Sequence, residues 1–322
     1  MAKHWIKPTL SILLAGLAAL ATATAVAADF PTKPIRILIG YPPGSADVLA
    51  RMIATGMQER LKQPVVVENR PGANTLIATQ GVAQAAADGY TLLYTASPIA
   101  QQPVVNKSWN VDPLVDLAPV VTTIRQPVFY VISAKKMPVK NLREFLAYAK
   151  ANPAKVNIAT AGTELGYKLF NQMAGINIEI VPFKGESPAV TAVIAGDADL
   201  TYSSLVGMQQ HAAAGSLRVL GVTSLKRSPL MPDVPTIDEA GLPGYQFDIF
   251  HAIFAPGATP KDVIATLNNS VVAAMREPVL NKRLTDQGYF VIADKPEDLR
   301  AHMTAELAQW KKLAAAGIIS AQ

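Results

Sequence analysis

The stretch IRILIGYPPGSADVLAR, residues 35–51, decides the fold. Ile35, Leu38 and Ile39 belong to a short apolar, β-branched run of the kind that forms a buried parallel strand. Pro42, Pro43 and Gly44 stop the strand and turn the chain. Ser45 reads as the cap of a following helix, with Val48, Leu49, Met52, Ile53 and Met57 on one face. The first backbone amides of a helix have no partner inside it and carry the positive end of its dipole. A strand, a glycine turn and a helix start therefore make a socket for an anion. The same three parts also make an ordinary capped βα junction. One such place leaves both readings open; a second socket facing it favours the anion.

The pattern recurs. Residues 156–160 read as a strand, Ala161-Gly162-Thr163 as a turn and 164–173 as a helix. Between the two sockets, 64–69 and 90–94 are strands around a helix at 76–87, and strands alternating with helices imply a parallel sheet flanked by helices. Ser97 follows the strand at 90–94. It is a candidate contact, because ligands bind beyond the strand ends of open α/β sheets, and equally a candidate turn cap. Residues 101–126 give no clear pattern. Further strands fall at 178–181, at 198–202 (ending in Ser203 and Ser204) and at 217–223, and Ser187-Pro188 marks a helix start. Extended segments at 128–133 and 249–255 join the two βα blocks. Helices at 260–275, from Pro278 and over 296–316 complete the chain.

This organisation predicts an α/β protein of two lobes whose chain crosses over and returns. Residues 29–127 plus 250–322 form lobe 1 and 128–249 form lobe 2. The ligand cleft lies between them, able to close about a hinge. Two helix-start sockets facing across such a cleft suit a molecule with a carboxylate at each end.

Composition narrows the function. Of 322 residues half are hydrophobic and 16% charged, which excludes a disordered chain. Lys3 and Lys7, an apolar run over 10–20 and Ala25-Val26-Ala27-Ala28 form the three-part pattern of a secretory signal peptide, residues 1–28. The run falls short of the roughly 20 apolar residues that span a bilayer. The net charge of +5 includes those two lysines, and no Lys/Arg run with interleaved aromatics marks a nucleic-acid surface. The chain has no cysteine, so disulfides, thiolate metal sites, a catalytic thiol and a lipid-anchored cysteine are excluded. Export without disulfides fits a bacterial periplasm. No Gly-x-Gly-x-x-Gly or P-loop pattern calls for a nucleotide cofactor. His4, His211, His251 and His302 are scattered, and His302 with Glu306 on one helix face is too little for a metal site.

Several stretches together resemble the Bug-type receptors of tripartite tricarboxylate transporters, a TctC-like family. They are Tyr41-Pro42-Pro43-Gly44 through Asp47-Val48-Leu49-Ala50-Arg51, residues 66–73 (VVENRPGA), Asp88-Gly89-Tyr90-Thr91-Leu92, Val181-Pro182-Phe183-Lys184-Gly185, and Asp233-Val234-Pro235-Thr236 with residues 239–244 (EAGLPG). The ordered set covers essentially the whole chain after residue 28. The resemblance implies a periplasmic solute-binding protein of the two-lobed, type II Venus-flytrap fold. It also implies a small carboxylate ligand (a di- or tricarboxylate, an acidic amino acid or an aromatic acid) passed to a membrane permease. Such a receptor is expected to be monomeric and to need no cofactor or metal. The family's first-loop contacts fall here on Gly44, Ser45 and Ala46, with Tyr41 beside them as a further candidate. Its second-lobe contacts fall on Gly162, Thr163, Lys184, Gly185, Ser203 and Ser204. The first loop is one glycine shorter than the family's, the loop at 161–166 is shorter and lacks a Ser-His pair, and Ser203 stands where many members carry Asp. All three departures lie at expected contacts, so the ligand's identity does not carry over.

Two residues have competing roles. Asp47 either complements the helix dipole or meets a ligand amine or bridging water. Lys184 pairs with a ligand carboxylate or with Glu186 beside it. Two rival functions also remain. A secreted α/β hydrolase of carboxylic esters or amides would need Ser45 or Ser97 as nucleophile, yet neither Gly44-Ser45 nor Gly215-Ser216 makes a Gly-x-Ser-x-Gly elbow. A ligand sensor docking a membrane receptor differs from a transport receptor in partner alone.

Overall fold

The computed structural model describes residues 30–153, 155–160, 164–183 and 185–319. The signal-peptide reading and the expected contacts Gly162, Thr163 and Lys184 lie outside them. The chain forms two lobes, each built on a mixed sheet. The first sheet holds β1 (Ile35–Ile39), β2 (Val65–Asn69), β3 (Thr91–Ala96), β4 (Leu117–Pro127), β10 (Asp248–Pro256) and β11 (Phe290–Val291), in the order β11-β4-β10-β3-β1-β2. The second holds β5 (Phe129–Ser133), β6 (Asn157–Thr160), β7 (Glu179–Pro182), β8 (Leu200–Ser203) and β9 (Leu217–Val222), in the order β7-β6-β8-β5-β9.

Both sheets follow one plan. A parallel trio, β2-β1-β3 or β7-β6-β8, is extended by an antiparallel strand, β10 or β5, that enters from the other lobe. The parallel strands are apolar because helices cover both their faces. On one face of the first sheet, Ile37 and Ile39 pack with Leu49, Ile53 and Met57 of α1 (Ser45–Leu61) and with Leu267 and Val271 of α9 (Lys261–Met275). On the other, Leu38, Leu93 and Phe254 meet Leu299, Met303 and Trp310 of α11 (Pro296–Ala315). That core runs on into the second lobe through Phe250, Phe247 and Tyr245 to Tyr130, Tyr167 and Phe170.

The unassigned region 101–126 contains most of α3 (Pro98–Val105) and of the eleven-residue β4. The helix at 76–87 is shorter than expected, spanning α2 (Leu76–Ala83). Val48, read as part of the inward face of α1, is exposed, and so is Ile77 on α2. At Val48 the inward position is taken by Asp47, whose carboxylate bonds Arg51.

The chain passes between lobes at two adjacent points. Val128 joins β4 to β5, and residues 223–247 join β9 to β10. They are tied together: the Val128 amide donates to Thr223 Oγ1 (3.0 Å), the Thr223 amide donates to the Val128 carbonyl (2.9 Å), and the Phe247 amide donates to the Thr223 carbonyl (3.1 Å). Beside them Arg125 Nη1 lies 2.8 Å from Asp248 Oδ1.

Candidate ligand-binding site

In each lobe the parallel strands end on the side of the crossings: Ala96 at the end of β3 pairs His251 near the start of β10, and Ser203 at the end of β8 pairs Phe129 at the start of β5, so the loops beyond them form the rims that face the other lobe. On lobe 1, β1 ends at Ile39 and α1 begins at Ser45. Ser45 is not the cap: Gly44 holds that position in extended backbone and offers no side-chain hydrogen bond. The first intrahelical bond runs from the Val48 amide to the Gly44 carbonyl (2.9 Å). The amides of Ser45, Ala46 and Asp47 thus meet no acceptor among the described residues, and Gly44 and Ser45 are exposed. A side chain at the cap position would have taken one of these donors; glycine leaves all three.

Asp47 points away from this opening. Its carboxylate accepts from Arg51 Nε (3.0 and 3.1 Å), and the Arg51 guanidinium holds it below the usual carboxylate range. Arg51 Nη2 also donates to Asn69 Oδ1 (3.1 Å), and Asn69 Nδ2 donates to the Tyr41 carbonyl (3.1 Å). This chain braces the first loop from behind. Burial raises the Tyr41 hydroxyl to about 12, so it stays neutral. Ser97, at the end of β3, is buried, and its Oγ accepts from the Phe250 amide (3.1 Å), which ties β3 to the returning strand β10.

A second rim segment was not among the expected contacts. Gly72, Ala73, Asn74 and Thr75 have φ of 128°, 46°, 52° and 77°, so four successive residues lie in the left-handed region. Only glycine adopts it freely, and asparagine is the best of the rest. The Thr75 side chain is 3% exposed, and its hydroxyl meets no partner among the described residues. Gly72 and Asn74 together were the available signal. Gly40 is what lets this segment pack on the end of β1: a Cβ there would lie 2.5 Å from Thr75 Cβ and 2.7 Å from its Cα. Gly40→Ala is therefore expected to lower stability by about 2 kcal/mol, as overpacking does. Urea denaturation checks this; a loss under ~0.5 kcal/mol would show that the segment yields freely.

On lobe 2, α6 (Glu186–Ala195) starts after Gly185 at φ 118°, again with no side-chain cap, so Ser187 is not the cap expected. Ser203 and Ser204 close β8 ahead of α7 (Leu205–Ala213), a helix the sequence reading did not assign. Ser204 caps α7, its Oγ accepting from the Gly207 amide (3.1 Å). Glu186 reaches into this start. Its Oε1 accepts from the Ser204 amide (2.7 Å), from Ser204 Oγ (2.9 Å) and from Ser203 Oγ. Gly207 makes room, since a Cβ there would lie 2.1 Å from that oxygen. Lobe 1 stands close by: a Cβ on Gly288 would lie 2.9 Å from Leu205 Cδ2. Burial raises the neighbouring Tyr289 hydroxyl, and the Glu186 charge raises it further.

The hydrolase reading finds no nucleophile–base pair among the described residues. Ser97 Oγ is engaged by Phe250, and the buried His251 directs Nδ1 to Tyr94 Oη (3.0 Å). No cluster of three or more histidine or acidic residues among those described is placed to hold a metal ion.

Two mixed sheets, two adjacent crossings and a cleft between strand ends define the class: a two-lobed periplasmic binding protein. The chain belongs to the tripartite tricarboxylate transporter family receptors, TctC, whose family model matches residues 49–317. It is 32% identical to the protein BugT of Bordetella pertussis over 89% of this chain and 90% of that one. Among solved structures it is similar to R. palustris Rpa4515 with adipate (31% identity, TM-score 0.76, 91% of this chain and 100% of the other). It is also similar to MatC from Rhodopseudomonas palustris with bound malate (30% identity, TM-score 0.71, 88% and 99%). The family is one of solute-binding receptors, not enzymes.

Proposed function

We propose that this chain captures a small carboxylate between its lobes in the periplasm and hands it to the membrane permease of a tripartite transporter. Export by residues 1–28 belongs to this reading, as does a monomer whose lobes, 29–127 plus 250–322 and 128–249, pivot at the two crossings. The observation that carries it is the uncapped start of α1, with the free amides of Ser45, Ala46 and Asp47 at the lobe 1 rim. Three convergent amides at the positive end of a seventeen-residue helix bind a carboxylate without a lysine or arginine. The relatives solved with adipate and malate support the chemistry. Gly44, Ser45 and Ala46 are the first contacts in this reading, with Tyr41, Gly162, Thr163, Lys184 and Gly185 around them. Asp47 and Ser97 serve mainly to hold the rim.

A ligand that binds the folded form alone shifts the population to the closed state and stabilises it. An acid at about 100 times its dissociation constant adds about 2.7 kcal/mol. A thermal-shift screen of carboxylates, amines and sugars should give upward shifts among the acids. Shifts from sugars or amines with none from any acid would sink the proposal.

A further inference from the structure

We infer that Glu186 sets the ligand class: the cleft takes a molecule with a single carboxylate whose far end carries no negative charge. The inference rests on the function proposed above and narrows it. The two rims are not equivalent. The α1 start of lobe 1 presents amides with no acceptor, whereas the α7 start of lobe 2 already holds a carboxylate. Glu186 Oε1 takes the Ser204 amide and both serine hydroxyls, donors that a second ligand carboxylate could otherwise use at the α7 start. Ser203 is buried, Ser204 is itself committed to the Gly207 amide, and Gly207 admits the carboxylate at a distance no side chain would allow. The arrangement is built around this acid.

Glu186 also stands where the lobes meet. It contacts the start of α7, and that start touches Gly288 of lobe 1 through Leu205. A ligand spanning from the α1 amides to lobe 2 would bring its far end toward the Glu186 carboxylate, which already holds the donors of the α7 start. A second carboxylate there meets like charge in a closing, partly dehydrated cleft, an arrangement that works strongly against the wrong partner. A neutral or cationic end meets no such penalty, and an ammonium or hydroxyl finds an acceptor in the remaining carboxylate oxygen.

Matched pairs test this by calorimetric titration of the whole exported protein: butanoate and succinate, hexanoate and adipate, benzoate and terephthalate. In any pair that binds, the monoacid should bind at least about tenfold more tightly than the diacid. Glu186→Gln keeps an acceptor oxygen for the Ser204 amide and removes the charge. It should strengthen diacid binding about tenfold while moving the monoacid less than about threefold. Tighter diacid binding by the wild type, or an unchanged ratio in the variant, would overturn the inference and leave the proposed function standing. Binding by no member of any pair would overturn the inference, and the proposed function would fall with it only if the wider acid screen were also silent. The wild-type ratio decides by itself should the variant fail to fold.

Discussion

Taking the folded protein from pH 7 to pH 4 is expected to cost about 3 kcal/mol through His251 alone. His251 lies on β10, 8% exposed, with Nδ1 3.0 Å from Tyr94 Oη and no acid within hydrogen-bonding reach among the described residues. Burial pushes its pKa down from 6.5 to about 4. The folded ring therefore refuses a proton that the unfolded chain accepts near pH 6.5. Its contribution is complete above about 6.5 and drains away between 6.5 and 4, at up to 1.36 kcal/mol per pH unit. Other groups titrate nearby with different signs. Burial raises Asp294 and Asp199, which favours folding at the acid end, while Asp47, held low by Arg51, gives up stability only below its unfolded range. The difference between wild type and His251→Phe isolates the histidine. Urea denaturation across pH 4–7 should show the variant flatter by about one proton; parallel curves would refute the assignment.

The second large effect sits at the crossing. The Arg125 and Asp248 side chains are 22% and 6% exposed and pair at 2.8 Å. The other Asp248 oxygen accepts from Gln246 Nε2 (3.2 Å). Both residues also line a cavity of about 240 Å³ with Phe247, His302, Glu306 and Trp310, and it is the low exposure of the pair itself that limits screening. Arg125→Ala leaves a nearly buried carboxylate with one amide donor and is expected to cost about 3 kcal/mol. Replacing both partners by apolar residues, Arg125→Met with Asp248→Leu, should recover much of that loss, because neither charge is then stranded. Denaturation of the single and double variants measures this. A single-variant loss below ~0.5 kcal/mol would mark the pair as an ordinary surface contact. Asp248 opens β10 directly beside the hinge hydrogen bonds of Val128, Thr223 and Phe247, so the same variants report on how the lobes are held.

Periodicity and turn residues were enough for most of the architecture. The apolar runs at β1, β5 and β10 and the stripe of Leu299, Met303, Leu307 and Trp310 on α11 were legible because each is a local pattern with its own period. The strand β4 was not. Its Pro119 and Pro127 and its mixed polar residues look like loop, and only pairing with β10 on one side and β11 on the other makes eleven residues a strand. The caps failed for a related reason. Ser45 and Ser187 are good cap residues by type, but the backbone puts Gly44 and Gly185 at the cap positions and carries each serine into the first turn.

What the chain order determined unaided is the two-lobed α/β plan and the glycine turn before α1 that is proposed here as an anion socket, since a strand, a glycine turn and a helix start are contiguous in sequence. What the tertiary structure alone decided is how charge is spent around that socket. Asp47 turns to Arg51, and Glu186 crosses seventeen residues of chain to reach Ser203. Such pairings depend on which rims the fold brings together and which donors it leaves free, and neither quantity has a local period to read.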